Sequence, residues 1–238
     1  MKFLCAACVF AGVLAYSADV TAQTTTPTPN LNGVWTVTNY RAKLSDMSSE
    51  LAAAKQDAPF TPQAAERYKN LDRAALDTGP SSRCLPPGIA FLMVMPYAFE
   101  IIQIPGRVLT FHEFGNYVRQ IFTDGRGHTD PDPTWLGHSI GRYEGDTLVV
   151  DTIGFNGKAW LDQTGLQGSD ELHTVERFRR TGSELDYSIM LEDPKIFTRA
   201  WTAQAKFKLQ PNFNIVEFVC LENNTYVGSP GMKVPANK

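Results

Sequence analysis

Five ionisable side chains sit between or beside apolar neighbours, and these are the residues best placed to do chemistry. Asp151 follows Val149-Val150, Glu217 lies between Val216 and Phe218, Glu100 between Phe99 and Ile101, Arg119 follows Tyr117-Val118, and His173 opens an alternating run. A carboxylate walled by apolar groups has a raised pKa, which suits a general acid or base near neutral pH. An arginine facing the same space would stabilise a developing enolate or carboxylate. The expected roles are Asp151 or Glu217 as base, His173 as acid partner and Arg119 as electrostatic stabiliser, with Asp162 and Tyr117 as further polar contacts. The plainer reading puts these charges on an outer sheet face, where cross-strand Glu–Arg pairs are common. Glu176-Arg177 and Arg179-Arg180 read as such a face.

Aromatic residues favour a small organic ligand. Tyr97, Phe99, Tyr117, Trp135 and Trp160, with Glu100 and Asp162 as polar handles, are the expected lining of an apolar cavity. Core packing competes for the same residues, and Trp35 is expected to plug the closed end. Gly137-His138-Ser139-Ile140-Gly141 matches the Gly-x-Ser-x-Gly nucleophile elbow, but an elbow needs a helix after its serine. Here a strand and the Glu144-Gly145-Asp146 turn follow, so the segment reads as a strand start.

No metal site is expected. His112, His128, His138 and His173 form neither His-x-His nor His-Glu-x-x-His, and Asp124, Asp130 and Asp132 fit no EF-hand spacing. No glycine-rich phosphate loop follows a strand, so no cofactor is expected. A net charge of −3 without a basic stripe points away from nucleic acid.

The elements that must position these groups read as mostly β. Leu31 to Tyr40 is a first strand. Ser45–Lys55 and Pro62–Leu76 read as helices, the second starting on Thr61 as N-cap with Pro62 at the first position. From Tyr97 onward, short alternating strands are separated by Pro105-Gly106, Glu144-Gly145-Asp146, Thr181-Gly182-Ser183 and Gln210-Pro211-Asn212 turns, with Asn214–Leu221 as the last strand. Two long loops, Asp124–Gly137 and Gly154–Glu171, are expected at the mouth. The expected fold is an antiparallel up-and-down β-barrel of about eight to ten strands with a helical insertion (45–76) after the first strand. One domain spans 31–238, after a disordered lead-in at 23–30.

Lys2, the apolar run Phe3–Tyr16 and Val20-x-Ala22 read as a signal peptide over 1–22, with export to a periplasmic or extracellular location and no membrane span. Cys5 and Cys8 leave with the leader. Cys84 and Cys220 remain, and an oxidising compartment favours one disulfide between them over two buried thiols.

Gly33-Val34-Trp35 at the head of the first strand resembles the Gly-x-Trp signature of lipocalin-like, calycin-type barrels. Cys84-Leu85-Pro86-Pro87-Gly88, Gly145–Thr152 and Val175–Arg180 resemble segments of a large group of secreted bacterial proteins of unassigned function, a resemblance that covers nearly the whole mature chain. The first resemblance implies a barrel that holds a small molecule; the second implies no catalytic residues.

Two functions are therefore expected. One is cofactor-free acid/base chemistry, of isomerase, lyase, hydratase or cyclase type, on a small, largely apolar organic molecule in the barrel cavity. The other is binding of a hydrophobic small molecule without turnover. A filled barrel with a structural role is the third possibility. Oligomeric state is not legible in the sequence.

Overall fold

A computed structural model describes residues 28–71 and 79–222. The expected signal peptide (1–22) lies outside these residues. The end of the expected lead-in (23–30) is held in place: the Pro29 carbonyl accepts from Gln103 Nε2 at 2.9 Å and the Asn30 carbonyl from Arg180 Nη1 at 3.0 Å.

Nine strands close into a barrel in sequence order: β1 (Gly33–Val37), β2 (Phe99–Ile104), β3 (Arg107–His112), β4 (Val118–Phe122), β5 (His138–Glu144), β6 (Thr147–Ile153), β7 (His173–Thr181), β8 (Glu184–Glu192) and β9 (Trp201–Leu209), with β9 pairing back onto β1. The mostly β, up-and-down architecture is thus as expected. Alternation produces it, because inward residues such as Leu148, Val150 and Thr152 are buried while Thr147, Asp151 and Ile153 on the same strand are not. One pairing departs from the antiparallel rule. β4 and β5 run parallel, joined only through Ile121 to Ser139 and Phe122 to Ile140.

The interior is filled by side chains. Trp35, Phe99, Phe178, Trp201 and Phe207 are each at most 2% exposed. Gly33 opens β1 at φ +128, and a Cβ there would stand 2.6 Å from the Leu209 side chain, so glycine permits this strand crossing. Trp35 then turns inward and donates from Nε1 to the Leu31 carbonyl at 3.0 Å.

The long β1–β2 connection carries helices α1 (Ser49–Ala54), α2 (Pro62–Lys69) and α3 (Ile89–Val94). Thr61 caps α2 by accepting from Ala64 N, with Pro62 at its first position, as its sequence indicates. Helix α3 was not foreseen. Its six residues are buried on every side, and a short, wholly apolar run has no period to distinguish helix from strand.

The expected strand at Asn214–Leu221 is a correction. Beyond Leu209 the described chain to 222 has no strand pairing, since β1 already occupies the outer edge of β9. Cys220 nevertheless bonds to Cys84, across 136 residues of sequence. The disulfide therefore ties the turn before α3 to the segment after the barrel, rather than to a last strand. No described helix is long and apolar enough to cross a membrane.

Candidate functional site

The expected catalytic residues fall in three separate places. Arg119 points into the barrel and is 3% exposed. Its Nη1 donates to Glu176 Oε1 at 3.0 Å, its Nη2 to Glu176 Oε2 and to Thr152 Oγ1 at 2.8 Å, and its Nε to Ser139 Oγ at 3.0 Å. Tyr187 donates to Glu176 Oε1 at 3.0 Å, and burial followed by the Glu176 charge raises its pKa well above the usual value. A guanidinium so fully engaged and sealed cannot meet a substrate, so Arg119 is a structural bolt rather than the expected stabiliser. Ser139, the serine of the elbow-like motif, is spent in the same network. Glu176, read from sequence as part of an external charged face, is fully buried.

Glu217 is exposed on the segment after the barrel and enters no strand, which removes it from any enclosed acid/base site.

Asp151 and His173 do come together, but on the outer face of the barrel. They stand on neighbouring strands β6 and β7, at odd positions that the alternation turns away from the interior. His173 Nε2 lies 3.1 Å from Asp151 Oδ2, and His173 Nδ1 3.3 Å from Glu192 Oε2 on β8. His128, from the β4–β5 connection, places Nε2 2.9 Å from Asp151 Oδ1 and Nδ1 2.9 Å from His138 Nδ1 on β5. Three of the chain's four histidines and two carboxylates thus form one continuous array, Glu192–His173–Asp151–His128–His138.

The hydrogen-bond bookkeeping assigns protons along that array. Asp151 accepts on both oxygens, so His128 and His173 each donate from Nε2. The His128 Nδ1–His138 Nδ1 contact places one proton between the two rings. Burial, then the neighbouring His128 and Arg126, push the His138 pKa below its ordinary value, which favours its neutral form. His173 lies between two carboxylates, with Nε2 toward Asp151 and Nδ1 toward Glu192. One end of the array is therefore an imidazole shifted toward its neutral form and the other an imidazole between two carboxylates, with His128 and Asp151 between them.

The β4–β5 connection builds this arrangement. Its ends lie side by side because β4 ends where β5 begins, and it is anchored where Thr134 N donates to the Gly154 carbonyl at 2.9 Å. Gly137 returns the chain at φ +69, and a Cβ there would stand 2.7 Å from Thr152 Cγ2 and 2.8 Å from the Ile153 carbonyl. On the same loop Arg126 pairs with Asp124 at 2.5 Å and lies 4.0 Å from the centre of the Phe122 ring. His138 stacks on that ring at 5.5 Å. An exposed guanidinium therefore stands near His138, close enough for its charge to act on that ring. Asp151 is 28% exposed and His128 17%, so the array is screened but reachable.

The expected ligand residues divide similarly. Tyr97 and Trp160 line one cleft at the mouth, and Trp135 and Trp160 line a second. Phe99 is inside the barrel, stacked on His112, and Glu100 lies on the outer side of β2; neither lines these clefts. Tyr117 buttresses Gly115, whose missing Cβ would be 2.3 Å from its ring. Asp162 is 1% exposed and organises the β6–β7 loop, accepting from Leu44 N at 3.0 Å, Thr164 N at 2.9 Å and Leu166 N at 3.3 Å. Its desolvation outweighs these bonds and raises its pKa. It is an anchor, not a ligand contact.

His128, His138, Arg126 and Glu192 were missed. His128 and Arg126 sit on a loop without periodicity, and His138 was read only for metal spacing. Among the described residues, no group of three or more His, Cys, Asp or Glu side chains is arranged to hold a metal ion. No protein-family model matches the chain, and no curated protein matches it.

Proposed function

We propose that this is an exported, cofactor-free acid/base enzyme whose site is the outer histidine–aspartate array rather than the barrel interior. The observation that carries this reading is the array itself: His138 and His173 joined through His128 and Asp151, with His138 shifted toward its neutral form. His138 takes a proton from the substrate, His173 returns one, and Asp151 orients His128 and His173 through its two oxygens. Arg126 holds the carboxylate or developing enolate of a small organic acid or carbonyl compound. Isomerisation, dehydration or hydration each need no more than this pair of proton transfers.

The disulfide supports the exported location, because such bonds persist in oxidising compartments. The lipocalin-like kinship is supported by the up-and-down order and by Gly33-x-Trp35 at the barrel floor, while the three helices and the parallel β4–β5 pairing depart from it.

The test is proton exchange. A panel of small keto acids and enolisable carbonyl compounds is incubated in D2O, and loss of the α-proton signal is followed by NMR. The wild type exchanges at least one member; Asp151→Asn slows that exchange about a hundredfold or more. Arg126→Ala acts mainly on KM for anionic members. Equal rates for wild type and Asp151→Asn sink the proposal.

A further inference from the structure

We infer that the mouth of the barrel holds a second site, separate from the acid/base array, for a neutral aromatic molecule carrying one hydrogen-bonding group. A cleft of about 420 Å³ opens there, with Tyr97, Phe114 and Trp160 among its aromatic walls and Tyr40 and Gln163 among its polar groups. This volume suits a drug-sized ligand, and aromatic walls with a few placed polar groups are what such ligands need.

Charge decides the ligand class. Among the described residues, the side chains that line this cleft are uncharged, and they favour an uncharged ligand over an ionised one, whose desolvation they would not offset. Tyr40 donates its hydroxyl to Gln163 Oε1, which places a hydroxyl and a carboxamide together on the wall. A phenol, aryl ketone or comparable uncharged compound meets both requirements.

The walls are fixed in place. Gly79 lies flat against the Trp160 ring, where a Cβ would stand 2.5 Å from the indole, and this contact sets one face. Phe114 and Tyr97 are backed by Phe218, at 4.9 and 6.1 Å between ring centres. Phe218 lies two residues before Cys220, whose bond to Cys84 holds that segment against the mouth. The disulfide therefore acts as the rear support of the cleft.

The experiment is a fluorescence titration of the folded protein with N-phenyl-1-naphthylamine, a neutral aromatic amine. Expected are saturable one-site binding and affinity at least tenfold weaker for the anionic 1-anilinonaphthalene-8-sulfonate. Trp160→Ala and, independently, Phe114→Ala weaken dye binding tenfold or more with unchanged circular dichroism, and so does reduction of the disulfide. Asp151→Asn binds the dye as the wild type does. Absence of saturable binding, equal affinity for the anionic dye, or loss through Asp151→Asn would each overturn the inference. Because the dye titration reads binding alone, its failure leaves the proton-exchange result standing, and the reverse holds too.

Discussion

His112 makes the barrel acid-labile by an amount that can be worked out. It points inward from β3, is 2% exposed, stacks on Phe99 at 5.5 Å and lies 2.9 Å from Thr110 Oγ1 through Nε2. Burial, then the Arg119 charge, lowers its pKa from 6.5 to about 3. The unfolded chain therefore binds a proton that the folded chain refuses throughout this window. The stability His112 contributes is complete above pH 6.5 and is lost as the pH falls toward 3. Linkage makes the loss about 2 kcal/mol between pH 7 and pH 5, and about 3 kcal/mol by pH 4. Urea unfolding at these pH values, on wild type and His112→Gln, isolates the effect, since all other groups titrate in both proteins. The wild type should lose about 2 kcal/mol more than the variant on going from pH 7 to pH 5. Parallel pH profiles would falsify the assignment of a buried, neutral His112.

The Arg119–Glu176 pair predicts strong non-additivity. Arg119→Met or Glu176→Gln alone should cost about 3–5 kcal/mol, because each leaves a buried partner unmatched. The double variant Arg119→Met/Glu176→Gln should cost less than the sum by more than about 1 kcal/mol in denaturant melts, and additive losses would contradict the pairing. Replacing both Cys84 and Cys220 by Ser should cost about 4–5 kcal/mol in the chain-entropy account of a loop this long. An unchanged melting midpoint would show that the staple adds nothing to the barrel's stability.

Much of the barrel was legible because period-two alternation and turn residues are local signals. Val149-Val150-Asp151-Thr152 shows the limit. It announces a strand, yet Asp151 and Thr152 face opposite sides, and only the register decides which side is inside. Arg119 and Asp151 were both singled out on the same grounds, and they ended on opposite faces of one sheet. His128 was illegible as a functional residue because its partners, 10 and 23 residues away, meet it only through the returning β4–β5 loop. Asn214–Leu221 alternates well enough to suggest a strand, but a closed barrel has no edge left to accept one.

The parallel β4–β5 contact has a consequence for how the barrel opens. Backbone pairing there is confined to Ile121 and Phe122, and side chains add to it: Arg119 reaches from β4 to Ser139 on β5, Thr152 on β6 and Glu176 on β7. On its other flank, β1 meets β2 through Gly33, Val34 and Trp35 alone. These three strands form a cooperative unit with two short borders, and such units open without global unfolding. Their amides should exchange with solvent ahead of those in the long β7–β8 ladder, and the guanidinium at the centre of the barrel is the latch that sets that interval.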